Sequence, residues 1–499
     1  MSQASDTLEE TTSVPGIEAA PTSFFGTIRR LGPGMILAGA IVGSGELIAT
    51  TRVGAETGIT LLWLVVFGCI VKVFVQVELG RTTIANARTG LEALDGVPGP
   101  RLRLPMGGGL TLKGHLFLWF WLVVMVLVLS QQGGIVGGVG QALSISAPLT
   151  THGRDVNDLQ NRWVDEKVAV AIARAEVASA ERIAILQARA DALEAQVRAM
   201  PPARDAYIWS GILAVFTAIA LYVGRYGMIQ FVSTLLVAMF TLLTVMTVLL
   251  IQRDPRWSMG TTDLLHGFSF HVPRPGEGTT RPMATALSAF GIIGVGAFEL
   301  LMYPYWCLEK GYARFTGPRE QTDEWAHRAR GWMRVMQIDV WVSMVVYTVA
   351  TMAFFWLGAA VLGRTKLIPE SDQMIRTLSE MYVPVFGGRW ARTIFLFGAF
   401  AVLYSTYFVA AAGCARLLSD SLGLFGFTDG SAEARKRWTG IFSVLWPLVA
   451  YLLYAWIKAP AAMVLWSGIG QALLLPFVGI AALYQRYRHC DERLRPGGL

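Results

Sequence analysis

Ten apolar stretches, each long enough to cross a lipid bilayer as a helix, constrain this chain more than any other feature of its sequence. A helix needs roughly 20 mostly apolar residues to span the hydrocarbon core. The chain has 499 residues, of which 54% are hydrophobic and only 15% charged, a composition typical of an integral membrane protein. The predicted spans lie near 32–53, 59–80, 116–147, 206–224, 228–251, 285–308, 335–362, 393–415, 438–456 and 461–484.

Charge and cysteine content exclude several other classes of protein. The net charge of +7 is spread over short loops and forms no basic stripe, so we expect a lipid bilayer and no nucleic acid as partner. The cysteines, Cys69, Cys307, Cys414 and Cys490, fit neither a disulfide framework nor a zinc ribbon. Motifs of serine hydrolases and zinc proteases are missing from the sequence, which predicts a protein that is not an enzyme and needs no cofactor.

The distribution of Lys and Arg predicts how the chain is oriented. Residues 1–30 lack the basic start of a signal peptide and are predicted to be a disordered cytoplasmic tail, with a second cytoplasmic tail at 485–499. The loops on the same side as these tails carry more basic residues than the opposite loops. By the positive-inside rule, both termini are therefore predicted to be cytoplasmic, in a multipass protein of the cell membrane.

A polar segment at 151–205 interrupts the pattern of apolar stretches. It is rich in Ala and in charges of both signs, which is typical of exposed helices. Only Pro201 to Asp205 are available to return the chain to the membrane, so a helical hairpin on the external face is predicted, with its bend near Val177 to Glu181. Self-association through this segment is one interpretation, and a decoration that packs only on itself is the other. Its apolar stripe is formed by Leu186, Ala190, Leu193, Val197 and Met200.

Two of the predicted spans contain residues that weaken a helix in mid-membrane. The first carries Gly43 and Gly45 directly before Glu46, and the sixth carries several glycines before Glu299 and Pro304. They occupy corresponding positions in two five-helix repeats, 31–251 and 285–484. Paired interruptions in such repeats indicate the substrate site of a secondary transporter near the bilayer midplane.

The run GPGMILAGAIVGSGELIATTRVGAETG, which begins at Gly32, resembles the first transmembrane helix of the Nramp metal-transporter family. In that family a Gly-Pro-Gly sequence is followed eleven residues later by Asp-Pro-Gly-Asn, and Pro304 matches the proline of a Met-Pro-His motif in the sixth helix. The resemblance extends over all ten spans. It implies an all-α fold of the LeuT type, an inverted repeat of five plus five helices, and metal transport by alternating access.

Several family motifs are replaced in this sequence. The family's metal-binding Asp and Asn fall on Gly43 and Glu46, and its acidic pair in the third helix falls on Gln131 and Gly134. Its sulfur ligand and its histidine fall on Tyr303 and Tyr305, which flank Pro304. Since the sulfur ligand is lost and glutamates are present, the residues favour a hard divalent cation such as Mg²⁺ or Mn²⁺.

The predicted metal donors are oxygen atoms close to the two helix breaks. They are the carboxylates of Glu46 and Glu299, the hydroxyls of Ser44 and Tyr303, and the backbone carbonyl of Gly43. Lys72, Gln131, Pro304 and Tyr305 are predicted as their neighbours. Since neither Gln131 nor Gly134 can carry a proton at neutral pH, transport with weak or no proton coupling is expected.

Two other functions are compatible with the sequence. An intramembrane ammonium needs a partner, so Lys72 is expected to pair with an acidic residue. If that partner is Glu46 or Glu299, the site contains a built-in cation and suits a small organic substrate. A receptor or scaffold that signals through the external hairpin is the other alternative. Asp339, near one end of the seventh span, is expected to be an interfacial charge.

Overall fold

The computed structural model describes residues 16–105, 111–176, 178–224, 227–274, 281–370 and 373–495. Within these residues, nine helices are long and apolar enough to cross a membrane. The first predicted span completes the set of ten, because it is divided into segments that are each too short to be counted alone. The all-α, five-plus-five architecture expected from the sequence is confirmed.

The first repeat begins with an interrupted span and continues with four long helices. Span 1 consists of α2 (Pro33–Ile41), a π-helical segment (Ser44–Thr50) and α3 (Thr51–Thr57). Spans 2 to 5 are α4 (Leu62–Asn86), α6 (Leu116–Ser146), α9 (Asp205–Val223) and α10 (Gly227–Ile251). The connections contain α1 (Phe24–Arg30), α5 (Gly90–Asp95), the antiparallel pair β1 (Arg101–Pro105) and β2 (Thr111–His115), and the helices α7 (Thr151–Ala175) and α8 (Ala180–Ala199).

The second repeat has the same plan. Span 6 is divided into α12 (Pro282–Ile292) and α13 (Ala297–Lys310), and spans 7 to 10 are α15 (Asp323–Leu357), α18 (Gly388–Leu424), α19 (Ala432–Ile457) and α20 (Pro460–Tyr484). Shorter helices are α11 (Thr261–Gly267), α14 (Tyr312–Thr316), α16 (Met374–Ser379) and α17 (Val383–Phe386). Irregular helical turns are Gly358–Gly363, Glu380–Tyr382, Gln485–His489 and Glu492–Leu494. The helix α15 begins well before its predicted apolar stretch and α18 extends past both ends of its own, because polar residues continue the same helices there.

The prediction of a disordered tail at 1–30 is wrong for its second half. Residues 1–15 lie outside the described residues, but Phe24–Arg30 form α1, whose N-terminus is capped by the Ser23 hydroxyl. The chain before α1 is held against α14 and α15, since Glu18 donates its backbone N–H to Phe315 and accepts a hydrogen bond from the Trp332 indole. The polar composition of this segment predicted disorder. The contacts that order it involve residues about 300 positions later in the chain, and a local sequence pattern cannot predict them.

Asp339 is fully buried and is not an interfacial charge, contrary to the expectation from the sequence. Its two carboxylate oxygens accept hydrogen bonds from the backbone N–H groups of Gly32 and Gly34, at the start of α2. A carboxylate at a helix N-terminus satisfies free N–H donors and interacts favourably with the helix dipole. Asp339 therefore fixes the first half of span 1 to span 7.

The polar segment forms the predicted helical hairpin, in which α7 and α8 pack against each other. The helices end at Ala175 and begin again at Ala180, which agrees with the predicted bend; Val177 itself lies outside the described residues. In the apolar stripe, Ala190 is buried and the larger side chains are half-buried.

Arg376, on α16, attaches this hairpin to the rest of the protein. Its buried guanidinium donates hydrogen bonds of 2.8 Å to the side-chain oxygens of Asn157, Gln160 and Asn161 on α7. Asp205 accepts three hydrogen bonds from Leu149 and Thr150 and so closes the base of the hairpin. The hairpin thus lies on the loop between spans 7 and 8 and does not project freely.

The alternation of ten spans places the hairpin on one face of the protein and residues 16–31 on the other. We predict that the hairpin face is external. In an otherwise unchanged protein, Glu176→Cys at the exposed hairpin tip should react with a membrane-impermeant maleimide in intact cells. Asp323→Cys, at the fully exposed start of α15, should react only after permeabilisation. The native cysteines are buried and serve as the background. Labelling of Asp323→Cys alone in intact cells would reverse the orientation.

Candidate functional site

Glu46 lies at the interruption of span 1 and is fully buried. Its Oε1 accepts a hydrogen bond of 3.1 Å from the Thr351 hydroxyl on α15, and its Oε2 lies 3.4 Å from the Gly43 backbone nitrogen. The carboxylate also interacts with the backbone amide of Gly294, in the gap of span 6. A single side chain therefore connects the interruptions of both broken spans with span 7.

Glu299 lies at the opposite interruption, in the first turn of α13. Its carboxylate turns back toward the helix start: a side chain added at Gly296 would come within 2.4 Å of its Oε2. There it interacts with the backbone amides of Gly296 and of Glu299 itself, where the helix dipole favours negative charge. Among the described residues, Oε2 is buried and has no hydrogen-bond partner. This oxygen is available to a ligand.

Gly294 allows the gap in span 6 to form. Its φ of +64° lies in the left-handed region that favours glycine. A Cβ at this position would also come within 3.0 Å of the Cys69 sulfur on α4. Both the backbone conformation and the close approach of α4 thus require glycine, which keeps the gap open between α12 and α13.

Lys72 reaches the same gap from α4. Its buried ammonium donates hydrogen bonds to the backbone carbonyls of Phe290 and Ile293, the latter at 2.7 Å, at the C-terminal end of α12. It interacts electrostatically with Glu46 and Glu299 but forms no ion pair with either among the described residues. The expected acidic partner is therefore replaced by carbonyl oxygens. A helix C-terminus attracts cations because its last carbonyls are unsatisfied.

Gln131 connects Ser44 to spans 3 and 10. Its Nε2 donates to the Ser44 hydroxyl at 3.3 Å, and its Oε1 accepts hydrogen bonds from Ser467 and Gln471 at 2.7 and 2.9 Å. Gln471 in turn accepts a hydrogen bond of 3.2 Å from the Phe298 backbone nitrogen, at the start of α13. A continuous polar network thus runs from span 1 through spans 3 and 10 to span 6.

Gly134 is in tight contact with α20. A Cβ at this position would lie 2.5 Å from the carbonyl oxygen of Pro460 and 3.0 Å from Val464. The helix packing leaves no room for an acidic side chain here. At the position where the family has the second residue of its acidic pair, this protein thus has a close contact between α6 and α20.

The tyrosines around Pro304 interact with polar groups other than the two glutamates. Tyr305 donates a hydrogen bond of 2.5 Å to Asp420 on α18, which also accepts one from Thr89. Tyr303 is fully buried, and its hydroxyl has Cys307 and Asp339 among its electrostatic neighbours. No contact joins either hydroxyl to Glu46 or Glu299 among the described residues. Pro304 is buried inside α13.

Several residues near the glutamates were not identified from the sequence. Thr406 on α18 occupies the space beside Gly43, where a Cβ would collide with its hydroxyl. The Cys69 thiol interacts with Glu46 and Lys72, and the Cys414 thiol with Glu299. The expected all-oxygen donor set therefore has two thiols at its edge. Among the described residues, no three His, Cys, Asp or Glu side chains form a ready-made metal cluster, so hydroxyl and carbonyl oxygens would have to complete a coordination shell.

Comparisons with known proteins identify the fold and the family of this chain. The fold is similar to solved structures of two variants of the manganese transporter of Eremococcus coleocola, with TM-scores of 0.60 and 0.58. In both cases the identity is 11%, and the alignment covers 96% of this chain and 84% of the other. A search of the curated proteins finds no match. The sequence model of the family described as natural resistance-associated macrophage protein-like, or Nramp, matches residues 124–486, which is most of the chain. The chain therefore belongs to the Nramp family of metal-ion transporters.

Proposed function

We propose that this protein transports a hard divalent cation of the Mg²⁺ or Mn²⁺ type across the cell membrane by alternating access. The observation that carries the proposal is the position of two carboxylates, one at the interruption of each broken span: Glu46, which is fully buried, and Glu299, which is half-buried with its Oε2 enclosed. Oxygen donors of this kind are preferred by hard cations, and partly hydrated Mg²⁺ needs only one or two carboxylates. The buried Oε2 of Glu299, for which the described residues provide no hydrogen-bond donor, supports a role as ligand.

The charges around the gap favour a cation as the substrate. Two ionised carboxylates and the Lys72 ammonium leave a net charge of −1 before the substrate enters. Lys72 is already satisfied by the carbonyls at the end of α12, so it does not need the carboxylates as hydrogen-bond partners. A dication would face both carboxylates while the ammonium offsets part of their charge.

A small organic substrate is the second candidate. The position of the Lys72 ammonium in the gap of span 6 favours it. This ammonium donates hydrogen bonds to carbonyl oxygens in the gap of span 6. Without Lys72, these oxygens could be ligands for a transported cation. With a resident cation beside two carboxylates, the site would suit a polar molecule with both charges. Substitution of Lys72 separates the two candidates.

We predict that Glu46→Gln and Glu299→Gln each abolish saturable Mn²⁺ or Mg²⁺ uptake in proteoliposomes. At an effective dielectric constant of about 20, a unit charge pair at about 4 Å is worth roughly 4 kcal/mol. The loss of one carboxylate should therefore weaken binding by about a thousandfold. Glutamine keeps the side-chain volume, so the variants should fold.

Glu380→Gln is the matched control for these variants. Glu380 is also buried, but it lies outside the spans on the hairpin side, where burial raises its pKa to about 7 and Arg392 opposes the shift. Uptake by this variant should equal that of the parent protein. Saturable uptake that survives in both site variants would contradict the metal site.

Lys72→Gln should retain metal uptake and lower the KM, because the amide can still donate a hydrogen bond to the carbonyl of Phe290 or Ile293 while the repulsion of the dication is removed. Lys72→Met should be less stable, since it leaves both buried carbonyls without a donor. Uptake and thermal stability of the two variants are measured together. Loss of transport in Lys72→Gln at unchanged stability would support the organic substrate instead.

We also predict that metal flux is weakly coupled to protons or not coupled at all. Gln131, Gly134 and Tyr305 stand where the family has groups that titrate, and none of them exchanges a proton at neutral pH. In proteoliposomes that contain a pH-sensitive dye, metal should enter without a matching acidification of the vesicle interior. Uphill metal accumulation driven by an inward proton gradient, accompanied by acidification, would show that this prediction is wrong.

A further inference from the structure

A groove of about 620 Å³ lies between the segment before α1 and the N-terminal part of α15, far from the two glutamates. One wall is formed by residues 19–22 together with Phe24, Thr27 and Ile28, and the other by one face of α15. The two walls meet at Gly331, where a Cβ would lie 2.7 Å from the Cβ of Ala20. The Trp332 indole fixes the segment in place by a hydrogen bond of 2.9 Å to the Glu18 carbonyl.

The α15 wall of the groove is basic. It presents His327, Arg328, Arg330 and Arg334, and no acidic residue is found among the described residues that line the groove. Arg328 donates to the Thr316 carbonyl, whereas Arg330 and Arg334 are exposed and form no ion pair among the described residues. The nearby Glu18 is already paired with Arg30 at 2.6 Å. Two guanidinium groups four residues apart on one helix face are therefore free to bind an anion.

The same groove has an apolar end. Beyond Arg334, the α15 wall continues with Val335 and Ile338, where the apolar part of span 7 begins. On the other wall, Phe24 and Ile28 of α1 are 73% and 44% exposed, and the adjacent Phe25 is 77% exposed, although all three are large apolar side chains. A short helix with such a face and with Arg29 and Arg30 at its end is typical of a segment that lies in the membrane interface.

We propose that this groove binds the headgroup of an anionic phospholipid. The phosphate group lies between Arg330 and Arg334, and the acyl chains follow Val335 and Ile338 toward the bilayer beside Phe24 and Ile28. Charge complementarity and the order of the two ends, basic and then apolar, match a lipid at the membrane boundary. The predicted topology places this face at the cytoplasmic leaflet, whose surface is negatively charged. A free phosphate would use only the basic end.

The test uses the full-length protein, purified and depleted of lipid in a mild non-ionic detergent. Dioleoyl phosphatidylglycerol should raise the thermal unfolding midpoint by several degrees more than dioleoyl phosphatidylcholine, because a ligand that binds only the folded state stabilises it. Native mass spectrometry should show phosphatidylglycerol bound to the protein. Inorganic phosphate and glycerol 3-phosphate, which lack acyl chains, should give neither effect.

Arg330→Gln with Arg334→Gln should reduce retained phosphatidylglycerol at least tenfold and remove the difference between the two lipids. The matched control is Arg253→Gln with Arg389→Gln, which removes two exposed arginines from the opposite face with the same change in net charge. Phe24→Ser with Phe25→Ser, which leaves the arginines in place, should also weaken retention.

Three results would overturn the proposal: unchanged retention in the Arg330 and Arg334 variant, equal loss in its control, or a full shift with inorganic phosphate alone. All of these readouts are independent of metal uptake. Failure of the proposed transport function would therefore leave this test unaffected.

Discussion

Backbone groups left free in the middle of a membrane are the constraint on which this structure depends. Water is not available there to satisfy them, so each interrupted helix needs protein groups at its ends. The carboxylate of Asp339 accepts the first N–H groups of α2, and the Lys72 ammonium donates to the last carbonyls of α12. Gln471 accepts the Phe298 N–H near the start of α13. The polar residues within the helices are thus explained first as partners of the broken spans.

This structural role limits what the same residues can do for a substrate. A charge that satisfies a helix end is pre-oriented, and its removal leaves several backbone groups unpaired at once. Glu46 and Glu299 also face helix ends, but their contacts there are weaker than those of Asp339 and Lys72. Glu46 holds its N–H contact at 3.4 Å, longer than an ordinary hydrogen bond, and one oxygen of Glu299 has no hydrogen-bond partner within the described part of the chain. These two carboxylates can exchange their present contacts for a ligand at lower cost, which is the property required of a transport site.

The sequence predicted the parts of the fold that depend on local pattern. Apolar length gave the ten spans, glycines next to carboxylates located both interruptions, and the polar insertion with its short return was correctly interpreted as a hairpin. It also predicted Gln131 as a neighbour of Gly43, Ser44 and Glu46, because the family resemblance assigns Gln131 to a motif of the third helix. The hydrogen bond between Gln131 and Ser44 is the direct sign of that arrangement.

Contacts between helices that are distant in the sequence could not be predicted from local pattern. The Tyr303 hydroxyl was predicted as a metal donor, yet it has Cys307 and Asp339 as electrostatic neighbours, and its ring packs against Gly80 on α4. Asp339 was predicted to be an interfacial charge because it lies near the end of an apolar stretch. Its own position does not reveal that it caps the start of α2. Cys69 was considered only as one of four cysteines, since nothing in its own span indicates that Gly294 lies against it.

Span 7 connects the features that matter for function. The helix α15 is continuous from Asp323 to Leu357 and carries, in order, the basic wall of the lipid groove, Asp339 at the start of α2, and Thr351 on Glu46. Since Asp339 is little more than one helical turn from Arg334, a shift of α15 at the groove must be transmitted to the first half of span 1 or must break a buried hydrogen bond. The conformation of span 1 therefore depends on the position of α15 in the membrane. The hydrogen bonds of Asp339 and Thr351 provide the connection.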